Sequence, residues 1–224
     1  LLSTMGADKP DKKLMIYGPP GTKKYLENLL RSFAAKDIIE HEVIEVKGGT
    51  FFENEEFQLE AQPLKHSVLC YGFSLIEKDR RKINVVKADK FGLKGPVLGE
   101  LQEGKVITLN GKKIHPDDVS VIVKGKKISY IADTVPCNGA NALAQDCDLL
   151  ISEGTHLDEI KEKTEKYMHL TVKEAALIAS ENNVKKLVVT HLSQRYKDAS
   201  QVLEEAKTYF NNVVVAEDFM RLKV

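Results

Sequence analysis

The chain has little of what would mark it as fibrous, membrane-spanning or disulfide-built. Its 224 residues include only 14 glycines and 7 prolines, and 42% hydrophobic against 29% charged residues lies near the globular average. Disorder as the main state is excluded, and the length suits one α/β domain with a sizeable core. Long apolar runs are missing. The longest, residues 68–76, is interrupted by Tyr71, Gly72 and Ser74 and falls far short of the ~20 residues that cross a bilayer as a helix. Cysteines number only three, Cys70, Cys137 and Cys147, without metal-site spacing. An odd, unpatterned set argues for ordinary thiols in a reducing compartment, so a cytoplasmic location is expected. A net charge is missing too, because 33 Lys and Arg balance 33 Asp and Glu. No global field draws the chain to nucleic acid or an anionic membrane, and any such attraction must be local.

A local imbalance is present. Residues 78–127 hold thirteen Lys or Arg against six Asp or Glu, a surplus of seven that leaves the remainder with an equal deficit. The same stretch carries Gly92, Gly95-Pro96, Gly99, Gly104 and Asn110-Gly111, so it reads as turns and short strands extending from the core. We expect one domain over residues 1–224, with residues 78–118 inserted as a basic arm. Around it, apolar periodicity predicts strands at 14–17, 38–46, 57–61, 67–76, 128–131, 148–151, 186–190, 213–216 and 219–222. Helices are predicted to begin near Tyr25, Asn138, Thr171 and Ala199, and alternation of strand and helix argues a layered α/β fold. Thr171-Val172-Lys173-Glu174 is a capping-box pattern that fixes the start of the third of these helices. The first residue is Leu1 and the opening residues read as the middle of an element, so the chain is expected to begin inside a longer protein.

Gly18-Pro19-Pro20-Gly21-Thr22-Lys23-Lys24 stands between a strand and a helix, the setting of a phosphate-cradling loop. The chemistry fails. Counting from Gly18, the required second glycine falls on Lys23 and the required Ser/Thr hydroxyl on Tyr25, so a side chain would block the phosphate and a phenol would replace the metal-binding alcohol. A strand-to-helix turn with a proline near the helix start accounts for the segment.

His66, Asp133 and His191 lie beside apolar strands, where side chains converge on the rim of a sheet. Imidazoles and a carboxylate suit Zn²⁺, although each residue singly is more often a hydrogen-bonded residue at a strand end. Local wording adds to this. Tyr130-Ile131-Ala132-Asp133-Thr134, Thr190-His191-Leu192-Ser193-Gln194-Arg195-Tyr196, Pro63-Leu64-Lys65-His66 and Tyr71-Gly72-Phe73 together resemble the metallo-β-lactamase superfamily and, within it, the ribonuclease Z branch. The resemblance runs over essentially the whole chain. Ser152-Glu153-Gly154-Thr155 and Met168-His169-Leu170-Thr171 resemble two further segments of that branch.

The resemblance implies an αββα sandwich, here lacking its N-terminal part, with the basic arm projecting from it. It implies two zinc ions per intact subunit, His66 binding one, His191 the other and Asp133 bridging them, beside a proton-handling pair of Glu153 and His169. The branch's His-x-His-x-Asp-His cluster is not in this sequence, and His41, His115 and His156 read as solvated residues rather than substitutes. The stretch by itself is therefore expected to be metal-poor and inactive. The implied substrate is precursor tRNA, cut after the discriminator base to leave a 3′ hydroxyl, and the implied assembly is a homodimer. Lys78, Arg80, Arg81, Lys82, Lys87, Lys90 and Lys94 would contact RNA phosphates, giving binding that follows RNA shape and weakens with salt. The competing readings are another hydrolase of the same fold acting on a small ester or thiolester, and a non-catalytic RNA-binding module.

Overall fold

The computed structural model describes residues 2–7, 13–32 and 39–224. Leu1 and Ile38, placed in elements above, lie outside the described residues. The first part of the chain forms α1 (Leu2–Ala7), β1 (Leu14–Gly18), α2 (Thr22–Arg31), β2 (His41–Glu45), β3 (Gly49–Glu53), β4 (Phe57–Leu64) and β5 (Cys70–Glu77). An excursion follows, comprising β6 (Arg80–Ile83), α3 (Val85–Lys90), α4 (Val97–Gln102), β7 (Ile107–Leu109), β8 (Lys112–Ile114), α5 (Pro116–Val119) and β9 (Ser120–Val123). The remainder is β10 (Lys127–Ile131), α6 (Asn138–Ala144), β11 (Leu149–Glu153), α7 (Lys161–Lys166), α8 (Val172–Glu181), β12 (Leu187–Thr190), α9 (Ser200–Tyr209) and β13 (Val213–Val215).

Seven strands form one sheet in the order β13-β12-β11-β10-β5-β4-β3. Strands β10 to β13 are parallel, β11 to β13 being rich in Val and Leu, and β10, β5, β4 and β3 pair antiparallel in turn. Strand alternation separates the two faces. Ser129 and Ile131 point to the helical side, where Ile131, Leu143, Leu150, Leu170, Leu187 and Val202 are fully buried. Each such leucine stabilises the fold by about 1.5–3 kcal/mol. Phe73, Leu75, Ile128 and Tyr130 take the other face, where Tyr17 of β1 stacks on Phe51 at 4.9 Å. There β1 and β2 form a separate parallel pair with α2 against it, giving the order helices, large sheet, small sheet, helix. Gly139 lets α6 approach the end of β4, since a Cβ there would overlap the Pro63 carbonyl.

Local chemistry sets several element starts. The Thr171 hydroxyl accepts from Glu174 N at 3.1 Å while the Glu174 carboxylate accepts from Thr171 N at 3.0 Å, completing the expected capping box of α8. At the glycine-proline turn, Glu45 Oε1 accepts from Gly21 N at 2.9 Å and from Lys23 N at 3.1 Å. A carboxylate from β2 thus holds the start of α2, where a phosphate would otherwise sit.

Three expectations change. Strand β3 was not anticipated, because a register shift between Thr50 and Phe52 breaks its alternation. Residues 219–222 are not a strand: the chain leaves the sheet after the edge strand β13, turns with Met220 N donating to Glu217 O, and exposes Phe219. The excursion contains three short helices besides strands, and a boundary at 118 stops short of β9, which pairs antiparallel with β6 and returns the chain. It encloses its own core of Ala88, Leu93, Leu101, Ile107, Ile114 and Val119.

Candidate metal centre

Strand direction assembles the site. Because β4 and β10 each run antiparallel to β5, they point the same way, and β11 and β12 are parallel to β10. The carboxyl ends of β4, β10, β11 and β12 therefore share one edge of the sheet, the edge where ligands bind in open α/β sheets. His66 follows β4, Asp133 follows β10, Glu153 ends β11 and His191 follows β12. His169 reaches the same place from the segment before α8.

Asp133, Glu153, His169 and His191 each offer one ligand atom, all within 4.8 Å of one another. His66 is not in that group of four, but its ring lies 5.3 Å from that of His169, which lies 5.4 Å from that of His191. Asp133 Oδ1 is 3.8 Å from His169 Nδ1 and from His191 Nε2. At the centre is Glu153, fully buried. Its Oε1 accepts from Thr134 N at 2.6 Å, and its Oε2 accepts from the Thr155 hydroxyl and from His169 Nδ1, each at 2.8 Å. His191 Nδ1 lies 3.3 Å from the same oxygen.

A common orientation of the rings follows. His66 Nδ1 donates to the Met168 carbonyl at 3.0 Å, His169 Nδ1 donates to Glu153, and His191 Nδ1 faces Glu153 and Thr155. Anchoring each ring through Nδ1 leaves three Nε2 lone pairs for a ligand, the arrangement by which oxygen partners orient metal-binding imidazoles. Three imidazoles and accessible carboxylate oxygens form a nitrogen and oxygen donor set that fits a divalent cation such as zinc. The local potential fits it too. Burial raises the Cys70 thiol and the Tyr130 phenol above their ordinary values, and the negative charges of Asp133 and then Glu153 push both in the same direction.

The backbone is strained here. Asp133, Met168 and His191 have φ of 55°, 59° and 54°, left-handed conformations that cost of order 1–3 kcal/mol each where they are unfavourable and that cluster at functional sites. An open cleft of about 650 Å³ adjoins the cluster, with His66, His169 and His191 in its wall.

Some residues stand differently from the sequence reading. His156 is buried rather than solvated: Thr164 holds its Nδ1 at 3.2 Å, and burial first, then the charges of Arg195 and Lys163, lower its pKa. It lines the cleft. His115 is exposed and His41 half-buried, away from the cluster. Thr134 and Thr155, both within the motifs quoted above, emerge as the donors that fix Glu153. In the excursion, Arg81 is tied to Asp117 and to the Ser120 hydroxyl, and Lys78 pairs with Glu53. Arg80, Lys82, Lys87, Lys90 and Lys94 are exposed, with no ion pair among the described residues.

Among the described residues no helix is long and apolar enough to cross a membrane. No family model matches the chain. It is 37% identical over 223 residues to a ribonuclease Z of Protochlamydia amoebophila, covering 98% of this chain and 72% of that relative. Among solved structures, the short form of human tRNase Z aligns with 98% of this chain and 70% of its own at a TM-score of 0.63 and 23% identity. The metallo-β-lactamase fold protein YhfI from Bacillus subtilis aligns with 96% of this chain and 66% of its own at 0.61 and 18% identity. The strand order, the layers and these alignments give the chain a metallo-β-lactamase fold. With the histidine and carboxylate cluster gathered at the carboxyl edge of its sheet, and with sequence identity sustained over almost its full length, the chain belongs to the ribonuclease Z family.

Proposed function

We propose that this protein is a zinc-dependent endoribonuclease that removes the 3′ trailer from precursor tRNA and leaves a 3′ hydroxyl on the tRNA. The observation that carries the reading is the convergence of His66, Asp133 and His191 on the Glu153–His169 pair, in a chain so similar to a ribonuclease Z. His66, His191 and the Asp133 carboxylate would hold zinc. Zinc, when bound, supplies a Lewis acid that makes water nucleophilic at neutral pH and offsets charge on the phosphoryl group.

The protein's own groups do the remainder. Glu153, fixed by two threonines, orients His169 through the 2.8 Å bond to Nδ1. Protonated, that imidazole donates to the departing 3′ oxygen, which otherwise leaves as an alkoxide. The exposed cations Arg80, Lys82, Lys87, Lys90 and Lys94 would engage phosphates of the tRNA body, setting position without reading bases. Arg81 and Lys78 are ion-paired with Asp117 and Glu53 and would exchange those partners on meeting phosphate. A homodimer belongs to the same reading and is supported by the exposed Tyr25 and Leu29 on α2, an apolar face open to a second copy.

The test is cleavage of a 3′-extended precursor tRNA by the full-length protein with zinc. We expect a single cut after the discriminator base, abolished by Asp133→Ala together with zinc binding while the circular dichroism spectrum is kept. A cut at other positions, or full zinc content in Asp133→Ala, overturns the assignment.

A further inference from the structure

The cleft beside the cluster has a second wall that the hydrolytic chemistry does not use. Its volume of about 650 Å³ falls in the ~300–1,000 Å³ range of ligand pockets, and Lys163, Tyr167 and Gln194 line it together with the three histidines. Tyr167 N donates to the Lys163 carbonyl at 3.3 Å, so the two residues stand one helical turn apart and present neighbouring side chains. Tyr167 is 55% exposed, so its ring is free to meet a ligand in the cleft it lines. Lys163 has no carboxylate partner among the described residues, whereas Lys161 beside it is shared between Glu165 and Glu174. Below them His156 is buried, and Lys163 is the one Lys, Arg, Asp or Glu among the residues that line the cleft.

We propose that Lys163 and Tyr167 form a nucleotide subsite that seats one residue of a single-stranded RNA next to the phosphate at the histidine cluster. The base stacks on the Tyr167 ring and the adjoining backbone phosphate meets Lys163. This inference rests on the phosphodiesterase reading above and names the part of the substrate that reaches the cluster. Two features of the wall match that occupant. An aromatic platform accepts any base through its π-face, and a cation beside it tracks the backbone. Asp133 and Glu153 make the metal-free cluster acidic, and in that state an RNA strand entering it depends on a positive charge outside the cluster.

The experiment is fluorescence anisotropy with a labelled hexauridylate at low salt, without metal, on the full chain and its variants. Tyr167→Ala should weaken binding by about 5- to 100-fold and Tyr167→Phe should not, since stacking needs the ring and not the hydroxyl. Lys163→Ala should weaken binding and lower the slope of log affinity against log salt by about one. Both positions are exposed, so their replacement leaves the fold in place. Parent-like binding by Tyr167→Ala and Lys163→Ala, or no hexauridylate binding by the parent, overturns the subsite. Precursor-tRNA cleavage by the full-length parent is read separately. Its absence alongside the expected variant pattern overturns the phosphodiesterase reading and leaves the nucleotide site standing.

Discussion

Replacing Glu153 by Gln tests the logic of the centre most directly. The carboxylate accepts four donors: a backbone N–H, a hydroxyl and two imidazole N–H groups. An amide has one oxygen and one NH₂ group, so either orientation turns a donor against a donor. If the oxygen stays toward His169 and Thr155, the NH₂ faces Thr134 N, which cannot rotate away. If it flips, the NH₂ faces His169 and His191. Losing a charge-assisted hydrogen bond and stranding its buried partner costs about 3–5 kcal/mol. Removing a buried carboxylate recovers part of that cost in desolvation. The net we expect is a loss of about 2 kcal/mol, a fall in Tm of about 4–8 °C for a chain of this size. Zinc affinity should fall about 10- to 100-fold, because the anchor of the His191 ring, a proposed zinc ligand, is lost. Differential scanning calorimetry and isothermal titration with zinc read the two effects. A variant with unchanged Tm and zinc affinity within twofold of the parent refutes the claim that Glu153 organises the site.

Thr171→Ala removes the capping hydroxyl of α8 and should cost about 1 kcal/mol, a Tm decrease of about 2–4 °C in the same calorimeter. His156 has a folded-state pKa below its ordinary 6.5, so as pH falls below 6.5 the unfolded chain binds a proton that the folded chain resists. Stability should drop with pH in that window, and His156→Phe should flatten the drop in a series of urea melts. Changing Lys87, Lys90 and Lys94 together to Ala should weaken precursor-tRNA binding far more than hydrolysis of a small phosphodiester, with a smaller salt slope. Equal losses in both measurements would remove the arm from the substrate-binding surface.

The sequence was most readable where periodicity was clean. Strand β10, the Val- and Leu-rich strands β11 and β12 and the capped helix α8 were predicted within a few residues, since the near-continuous burial of β11 and β12 and the Thr171–Glu174 exchange leave local signatures. Strand β3 was hidden by its register shift, and the helices of the excursion by being six residues or fewer, too short to show a periodic face. At the site, residue types, their places beside strands and, through the resemblance, the pairing of Glu153 with His169 were legible, but the other three donors to Glu153 were not. Thr134 and His191 lie 19 and 38 positions away, and nothing local aims the Thr155 hydroxyl at the carboxylate. His156 was misjudged because nothing in the Thr155-His156-Leu157 string tells that Thr164 folds over it. The acidic partners of Arg81 and Lys78, Asp117 and Glu53, were likewise hidden, being remote in sequence.

The excursion's architecture bears on how such a protein can change over time. Residue Ile76 of β5 sits opposite Lys127 of β10, and Glu77 N donates to the Lys126 carbonyl, so the chain leaves and re-enters the sheet at adjacent points. Its apolar interior is shared with none of the strands beside which His66 and His191 stand. Lengthening, trimming or exchanging this loop therefore asks nothing of the hydrolytic machinery, and a lineage could retune which RNA bodies it grips while its bond-breaking apparatus stays untouched.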